Sequence, residues 1–382
     1  MSKLILVVAV MALMAPSTAL AATPDWVHEY GTRCEDSVSS VAVSGNLVFA
    51  AGTQRDCVDG ESYKDDLGDV RAFALNGTPA WVSEFGSNLD QDFVRGLAAT
   101  PVGEYVVGQQ FTHPIVKFYD PSGNEVWTRL TQWSPWAVAS SGNDAFAFGG
   151  KRQLHLQEYT PTGSVGWSAK FGRWGNFRVA VAASSQQVVA EWPGRSDGDP
   201  DFLRAYDLSG GLLWSARTRV PGNEFVTGIS VSGDRTYLAG STIRSAAPPP
   251  AQHARVFLQA LGPHGGVLWT RRFGNWHTQA FDVSASGDDI VVVGRTKGAI
   301  GGDPHLGGYD AFAETFDGAG NEVSTTQFGT IRYDAATAVA QGTSGTVFVG
   351  GDTSGTFPGE TYQGDCGGLC PDDAFVARLP VT

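Results

Sequence analysis

The sequence predicts an all-β protein, a seven-bladed β-propeller with four antiparallel strands in each blade. A pattern of four short apolar segments recurs seven times, and Gly-rich turns separate these segments. Long amphipathic helical patterns are absent from the sequence. A period of about 40 to 50 residues that contains four strands is typical of propellers, so the repeat predicts the architecture before any single residue is considered.

A tryptophan marks one segment of each repeat. The copies are DWVHEYG, PAWVSEFG, EVWTRLT, VGWSAKFG, LLWSART, VLWTRRFG and EVSTTQFG, with the aligned positions Trp26, Trp81, Trp127, Trp167, Trp214, Trp269 and Ser324. We expect this segment to be the outermost strand, because a large ring there can cover the edge of a blade and pack against its neighbour.

Three further segments lie between successive tryptophan segments. The first is rich in small residues, as in DSVSSVAV and DAATAVAQ, and suits the innermost strand, where bulky side chains would crowd the axis. The second is more apolar and the third alternates around aromatic residues, as expected of strands. Turns such as SGN, SGD and DPSGNEV supply the Gly and Asn residues that tight hairpins require.

The phase of the repeat predicts how the ring closes. The chain has an isolated tryptophan segment at residues 25–31 and ends with DAFVARL, a third strand that no tryptophan segment follows. We therefore expect the N-terminal strand to complete the last blade and protect its edge. An open β-solenoid is the alternative, although its repeats are usually shorter and more regular than spacings of 40 to 55 residues. No linker divides residues 23–382, which predicts a single domain.

The first 22 residues have the layout of a secretory signal peptide, with one Lys, an apolar run and small residues before the predicted cleavage site. Pro16 interrupts the run before it reaches the roughly 20 residues of a membrane span, and no later stretch is apolar enough. The sequence thus predicts a protein exported to the periplasm, the cell surface or the medium. Its net charge of −13 disfavours nucleic acid and anionic membranes as partners. We expect a monomer.

Four cysteines in an exported chain predict disulfide bonds, since an oxidising compartment allows them to pair. Three pairings are possible among Cys34, Cys57, Cys366 and Cys370. We favour Cys34 with Cys57 and Cys366 with Cys370, because the two glycines of CGGLC let a short loop close. A zinc site built from the four thiolates is disfavoured because the usual CxxC spacing is missing.

The repeat resembles that of bacterial SBBP-type β-propellers. The shared pattern is W-x-x-x-F-G, an acidic residue, an apolar strand, S-G-N or S-G-D, V-x-V-x-G and D-A-F-x-x-x-x-D-x-x-G-N, and it covers nearly the whole predicted domain. The match is best in GGYDAFAETFDGAGNEV and PDDAFVARL. AYDLSGGLLW and FYDPSGNEVW are also similar to outer-strand repeats of quinoprotein dehydrogenases and outer-membrane assembly propellers. The resemblance implies the fold and no shared reaction.

Long connections are predicted on one face of the ring, where the second strand meets the third and the outer strand meets the next inner strand. Five of them span residues 53–68, 193–200, 242–254, 296–309 and 353–372. We call this the loop face. Binding and catalytic residues usually lie on such loops, so any site is expected there.

Polar residues open most of the inner segments and would ring the mouth of the channel. The aligned positions are Asp36, Asp92, Trp133, Asn176, Glu224, Thr278 and Asp334. One interpretation is a site for a cation or polar ligand, with calcium as the suitable ion. The other is that each carboxylate caps backbone N–H groups of its own blade. Asp197, Asp199 and Asp201 form a second candidate calcium loop, which lacks the Gly and the distal Glu of the usual motif.

Five tryptophans stand outside the repeat and fall at or near the loop face: Trp133, Trp136, Trp174, Trp192 and Trp276. Such rings beside polar residues can stack on a sugar or another amphipathic ligand. The alternative is that they pack over the channel mouth and the blade tops.

No catalytic motif stands in the required setting, since HExxH, GxSxG in a strand-to-helix turn and GxGxxG are absent from the sequence. The sequence therefore favours a secreted, non-catalytic propeller that binds an extracellular or envelope protein or glycan. An axial enzyme, either a lyase or a quinone-dependent dehydrogenase, is the first alternative, although fold alone supports it weakly. A structural envelope or matrix protein is the second.

Overall fold

The computed structural model describes most of the predicted domain. The described residues are 23–56, 65–86, 92–150, 152–172, 178–194, 200–218, 224–242, 256–275, 277–342, 345–364 and 371–380. Within these ranges the chain forms seven antiparallel sheets of four strands, and no α-helix is present. The predicted fold class is confirmed. Over the same ranges, no helix is both long enough and apolar enough to cross a membrane.

Each blade takes its strands from consecutive parts of the chain, innermost strand first, except the last. The first strand in the chain is β1 (Trp26–Tyr30), and it is followed by blade 1 with β2 (Ser37–Ser44), β3 (Leu47–Asp56), β4 (Asp65–Ala74) and β5 (Pro79–Phe85), blade 2 with β6 (Phe93–Thr100), β7 (Gly103–Gln110), β8 (His113–Tyr119) and β9 (Glu125–Leu130), and blade 3 with β10 (Pro135–Ser141), β11 (Asp144–Gly149), β12 (Leu154–Tyr159) and β13 (Val165–Phe171). Blade 4 contains β14 (Ala180–Ala183), β15 (Val188–Trp192), β16 (Phe202–Tyr206) and β17 (Leu212–Arg217), and blade 5 contains β18 (Glu224–Ser232), β19 (Arg235–Thr242), β20 (Val256–Leu261) and β21 (Val267–Phe273). Blade 6 contains β22 (Gln279–Ser286), β23 (Asp289–Thr296), β24 (Asp310–Phe316) and β25 (Glu322–Phe328), and blade 7 contains β26 (Asp334–Gln341), β27 (Val347–Thr353) and β28 (Asp373–Leu379) together with β1.

The N-terminal strand closes the ring as the sequence predicts. β1 is the outermost strand of blade 7 and pairs antiparallel with β28, from Trp26 opposite Arg378 to Tyr30 opposite Ala374. An ion pair between Arg378 Nε and Asp25 Oδ2, at 3.2 Å, lies beside the first of these pairs. The two chain ends therefore share one sheet, and no blade is left with three strands.

The six repeated tryptophans each connect one blade to the next. The indole N–H of Trp81 in blade 1 donates to the carbonyl oxygen of Pro121 in the outer turn of blade 2, at 3.1 Å. Gly123 of that turn has φ +82°, and a Cβ there would lie 2.5 Å from the Trp81 ring, so the ring seats on a bare backbone. The same pairing of ring and turn glycine recurs for Trp26 with Gly77, Trp127 with Gly163, Trp167 with Gly210, Trp214 with Gly265 and Trp269 with Gly320.

The hydrophobic core lies mainly between neighbouring blades. One cluster joins Phe49 and Val70 of blade 1 to Val94 and Leu97 of blade 2, all of which are buried. Alternating side chains of each strand point to the two faces of their sheet, so every blade contributes to two such clusters. Burial of this apolar surface on both sides stabilises the ring.

A β-bulge recurs in the innermost strand. In six blades the described register shifts by one residue at the same place, and the bulged residues are Ser39, Arg95, Trp136, Thr227, Phe281 and Thr337. Where that residue carries a hydroxyl, it can join two blades, as Thr337 Oγ1 donates to Val38 O at 2.6 Å and lies 3.2 Å from Gly350 O. Bulges of this kind redirect a side chain out of the ladder.

Candidate functional site

The connections on the loop face differ in length from blade to blade. The five predicted long connections all join the second strand of a blade to its third strand, in blades 1, 4, 5, 6 and 7. In blades 2 and 3 the same connection comprises only residues 111–112 and 150–153. Long connections therefore lie over five of the seven blades on the loop face, and blades 2 and 3 have short ones.

Three of the aspartates that the sequence analysis predicts at the channel mouth are buried, and each accepts hydrogen bonds from nearby backbone N–H groups. Asp36 accepts hydrogen bonds from the backbone N–H groups of Thr32 and Arg55, at 2.5 and 2.9 Å. Asp92 accepts from Phe111 N at 2.5 Å, and Asp334 accepts from the N–H of Thr330 at 2.6 Å. These contacts are the ones that the capping interpretation expects. The N–H groups that Asp36 and Asp334 bind at Thr32 and Thr330 belong to the connections that enter their blades. The N–H groups of Arg55 and Phe111, bound by Asp36 and Asp92, lie at or just after the end of the second strand.

The other polar positions of this ring differ from the aspartates. Thr278 uses a hydroxyl in place of a carboxylate, and its Oγ1 accepts from Asn275 N at 2.8 Å and lies 3.1 Å from Thr296 Oγ1. Asn176 and the side chain of Glu224 lie outside the described residues. Of the four predicted carboxylates, the three aspartates therefore bind backbone N–H groups, and a hydroxyl takes the corresponding place at Thr278.

Two of the five additional tryptophans are core residues. Trp133, 9% exposed, stacks on His155 with ring centroids 5.3 Å apart, and Trp192, 7% exposed, packs against Phe171 and Phe202. Their rings are occupied by packing, so we do not retain them as ligand-stacking residues. Trp174 and Trp276 lie outside the described residues, and their role stays a prediction.

Trp136 is half-buried and contacts a cation of the neighbouring blade. The guanidinium carbon of Arg95 lies 3.3 Å from the centroid of the Trp136 ring, and both residues are the bulged residues of their inner strands. Burial lowers the pKa of Arg95 to about 10, which still leaves the guanidinium charged at neutral pH. The two bulges thus form a cation–π pair between blades 2 and 3.

An acidic cavity opens where blades 7, 1 and 2 meet. It has a volume of about 340 Å³ and is lined by Glu35, Asp36, Ser37, Thr53, Arg55, Asp66, Phe93, Asp352 and Asp372. Arg55 forms ion pairs with Glu35 and, at 3.2 Å, with Asp66. Burial, together with the neighbouring Asp372, raises the pKa of Asp352 to about 7. The negative charge of the cavity therefore changes near neutral pH.

A cluster of aromatic rings around Arg295 adjoins this cavity. Arg295 donates from Nε and Nη2 to Gln279 Oε1, at 2.9 and 2.7 Å, and from Nη1 to the Tyr333 hydroxyl, at 2.7 Å. The rings of Phe281, Tyr309 and Tyr333 have their centroids 5.4, 4.7 and 5.3 Å from the guanidinium carbon. Tyr333 also hydrogen-bonds Asp352, which connects the cluster to the lining of the cavity.

The sequence analysis did not identify the Arg295 cluster. Arg295 and Tyr333 are 38 residues apart and belong to different blades, so no local spacing joins them. The available signal was weak: a tyrosine stands directly before β24 and another directly before β26. Positions next to strand ends on the loop face are where such residues would be sought.

A second cavity lies between the loops of blades 6 and 7. It has a volume of about 470 Å³ and is lined by Leu306, Gly329, Thr330, Ile331, Arg332, Ser354, Gly355, Thr356, Pro358 and Tyr362. Ile331 at its rim is 83% exposed. This cavity offers apolar surface next to the polar one.

The remaining predicted site residues have few described contacts. Cys34 is buried, at 8% exposure, and the described part of the chain holds no free cysteine. Cys57, Cys366 and Cys370, like residues 1–22, lie outside it, so the pairing and the signal peptide stay predictions. Asp201 is bound by the N–H groups of Val226 and Gly194. No cluster of three potential metal ligands is found among the described side chains.

These features define a seven-bladed β-propeller with a polar and aromatic loop face. No protein-family model matches the chain, so the SBBP-type resemblance is not confirmed, and no curated protein matches it. Among solved structures, BamB from Moraxella catarrhalis is similar, with a TM-score of 0.50, 13% identity and coverage of 94% of this chain and 98% of BamB. A chain of the mitotic checkpoint complex has a TM-score of 0.57 and 12% identity, covering 98% of this chain and all of the other. At such identities the similarity shows the fold alone.

Proposed function

We propose that this protein is an exported, non-catalytic β-propeller that binds a protein or glycan ligand of the cell envelope or the extracellular space through its loop face. The observation that carries the proposal is the acidic cavity joined to the Arg295 cluster. The cavity lies where blades 7, 1 and 2 meet, and the Arg295 cluster lies beside it, between blades 6 and 7. The polar side chains come from strands at both ends of the chain, which the closed ring brings together.

The chemistry of the site suits a ligand with several hydroxyl groups or a positive charge. Carboxylates such as Asp352 and Asp372 accept hydrogen bonds from hydroxyl and ammonium groups. The Tyr309 and Tyr333 rings offer flat apolar surface beside them, the combination by which proteins bind sugars and amphipathic side chains. A volume of about 340 Å³ accommodates one such group of a larger ligand.

Four further predictions belong to this proposal. Residues 1–22 would direct export, and the preferred pairs Cys34 with Cys57 and Cys366 with Cys370 would form in an oxidising compartment. Calcium stays the ion to test, because the carboxylate-rich lining supplies the hard oxygen ligands that it prefers. We expect the protein to act as a monomer.

The proposal is tested by substituting Tyr333 with alanine in the mature protein. Binding would be measured on a glycan array and to isolated envelope and cell-wall fractions. We expect Tyr333→Ala to weaken binding at least about tenfold, corresponding to 1.4 kcal/mol. The control is Asp289→Ala, an exposed residue of the hairpin between β22 and β23 on the opposite face. Equal affinities of Tyr333→Ala and the control protein would refute the proposed site.

A further inference from the structure

Arg95 departs from the structural role that its position has in other blades. In blades 1 and 7 the bulged residue of the inner strand carries a hydroxyl that reaches the next blade. The Ser39 hydroxyl donates to Val94 O at 3.2 Å, and the Thr337 hydroxyl donates to Val38 O at 2.6 Å. In blade 2 the bulged residue is Arg95. Since a hydroxyl is enough to join two blades at this position, the arginine needs a different explanation.

The guanidinium of Arg95 has no carboxylate partner among the described residues. Its carbon lies 3.3 Å from the ring centroid of Trp136 and 4.6 Å from that of Phe93. Within the described part of the chain its N–H groups form no hydrogen bond, whereas Arg71 pairs with Asp69 at 2.9 Å. Stacking covers the face of a guanidinium, and the donors lie in its plane. The half-buried Arg95 can therefore donate to an anion from outside the chain.

Arg95 lies beside the acidic cavity. Phe93 precedes Arg95 by two residues on β6, and its ring contacts the guanidinium and lines the cavity. The carboxylates of the cavity include those of Glu35, Asp66, Asp352 and Asp372. A cation without a carboxylate partner and a group of carboxylates are thus found next to one aromatic ring.

This arrangement of charge selects the kind of anion. An acidic polysaccharide repeats a single sign of charge, so the carboxylates of the cavity would repel the part of it that extends past Arg95. A peptide can carry an acidic and a basic side chain close together. In an extended segment, residues i and i+2 face the same side and are about 7 Å apart. The site therefore favours a peptide of mixed charge over an acidic glycan.

We infer that Arg95 and the acidic cavity together bind an extended segment of a partner protein in which acidic and basic side chains alternate on one side. The carboxylate of the segment accepts hydrogen bonds from the guanidinium of Arg95, and its ammonium group enters the cavity beside Phe93. The inference rests on the proposed function of the loop face and names the class of ligand that this face takes.

The test uses the mature protein and a fluorescein-labelled peptide with the repeat Lys-Ser-Glu-Ser. Peptides with the repeats Lys-Ser-Lys-Ser and Glu-Ser-Glu-Ser are the matched probes, and fluorescence anisotropy would measure the binding of all three. We expect the mixed peptide to bind at least about tenfold more tightly than either of the others. Its affinity should fall as the salt concentration rises.

The decisive variant is Arg95→Gln. It removes the cation, so we expect the affinity for the mixed peptide to fall at least about tenfold and the affinity for the Lys-Ser-Lys-Ser peptide to stay the same or rise. Arg95→Lys keeps the charge without the planar fork of donors and should give an intermediate loss, which also serves if Arg95→Gln fails to fold. The control is Arg129→Gln, the same change at an exposed residue of the outer strand of blade 2.

Four outcomes would overturn the inference. They are absence of binding of the mixed peptide, equal binding of the Lys-Ser-Lys-Ser peptide, an equal loss in Arg129→Gln, and a lower melting temperature of Arg95→Gln with unchanged affinity. Tighter binding of polygalacturonate than of the mixed peptide would assign Arg95 to an acidic glycan instead, and so would also refute it.

Tyr333→Ala in the same assay separates this inference from the proposed site. Binding of the mixed peptide that Arg95→Gln weakens and Tyr333→Ala leaves unchanged would support the role of Arg95 and count against the Arg295 cluster. Binding that only Tyr333→Ala weakens would support the cluster and refute the role of Arg95.

Discussion

Two junctions between blades differ in how the outer strand meets its neighbour. Between blades 5 and 6, the indole N–H of Trp269 donates to Gly318 O at 3.1 Å, and its ring covers Gly320, whose φ is +78°. Between blades 6 and 7 the aligned residue is Ser324. Blade 7 has no outer turn at that place, because its two outermost strands, β28 and β1, are not consecutive in the chain.

The comparison indicates that the presence of the tryptophan depends on the outer turn of the next blade, over which its ring packs, and not on the strand that carries it. The one copy without tryptophan is the copy whose neighbour carries the chain ends in place of a turn. Other contacts hold that junction: Phe328 of blade 6 packs edge-on against Phe375 of blade 7, with centroids 6.2 Å apart, and both are fully buried. Phe357, from the long connection of blade 7, joins the same cluster.

The largest expected effect is the loss of a tryptophan that covers a turn. Trp269→Ala removes a half-buried ring and its hydrogen bond to Gly318, and we expect it to lower the free energy of unfolding by about 3 kcal/mol. Ser324→Ala should cost less than about 1 kcal/mol, since no turn lies in the corresponding place. Urea unfolding would measure both. Equal costs would contradict the link between the tryptophan and the turn.

A smaller effect is expected at the glycine under the ring. A Cβ at Gly320 would lie 2.9 Å from the Trp269 ring, and the residue has a positive φ, so Gly320→Ala should cost about 1 to 2 kcal/mol. Part of this cost is the clash with the ring. In the Trp269→Ala background the cost should therefore fall, and a double-mutant cycle of unfolding free energies would measure the coupling. Strict additivity would show that the ring and the turn act independently.

The smallest effect concerns the closing strand and depends on pH. Burial raises the pKa of Glu29 on β1 to about 7, and Asp373 and Glu360 add like charge. Its main acceptor contact is with Phe357 N–H, at 2.9 Å. Because the pKa in the folded protein lies above that in the unfolded chain, the stabilisation is complete below about pH 4.5 and is lost as the pH rises through 7.

Glu29→Gln removes this titration at the closing blade. We expect the variant to gain up to about 1 kcal/mol relative to the parent protein between pH 5 and pH 8, with solvent screening limiting the effect. Thermal unfolding at a series of pH values would measure the difference. A parent protein whose stability relative to Glu29→Gln rises with pH would show that the Glu29 pKa is not raised by burial.

Much of the propeller fold could be predicted, because the sequence patterns that specify it lie within single blades. The tryptophan segment, the small residues of the inner strand and the turn motifs each repeat within one blade, so the count of strands and the closing role of β1 follow from their order. The alignment of the repeats also placed Asp36 directly before β2 and Asp334 at the start of β26. Only the structure shows the N–H groups of Thr32, Arg55 and Thr330 around them, which favours capping over ligand binding.

The site could be predicted less well, because it combines residues that the chain order keeps apart. Trp192 has a side chain that could stack on a ligand, yet its ring packs against Phe171 and Phe202 inside the blade. Arg295 is not part of any recognisable sequence motif, yet it donates hydrogen bonds to Gln279 and Tyr333 and lies over the Tyr309 ring. Whether an aromatic ring is buried or open depends on its neighbours in space, which spacing along the chain does not specify.

The sequence by itself determined the repeat, the turn chemistry and the strand that closes the ring, since alternation of side chains and the backbone freedom of glycine act over a few residues. Only the tertiary structure decided which carboxylates share a cavity and which rings surround Arg295. The ring brings Phe93 of blade 2 and Asp352 of blade 7 to one cavity. Contacts between distant segments follow from closure and from packing between blades, which no local pattern encodes.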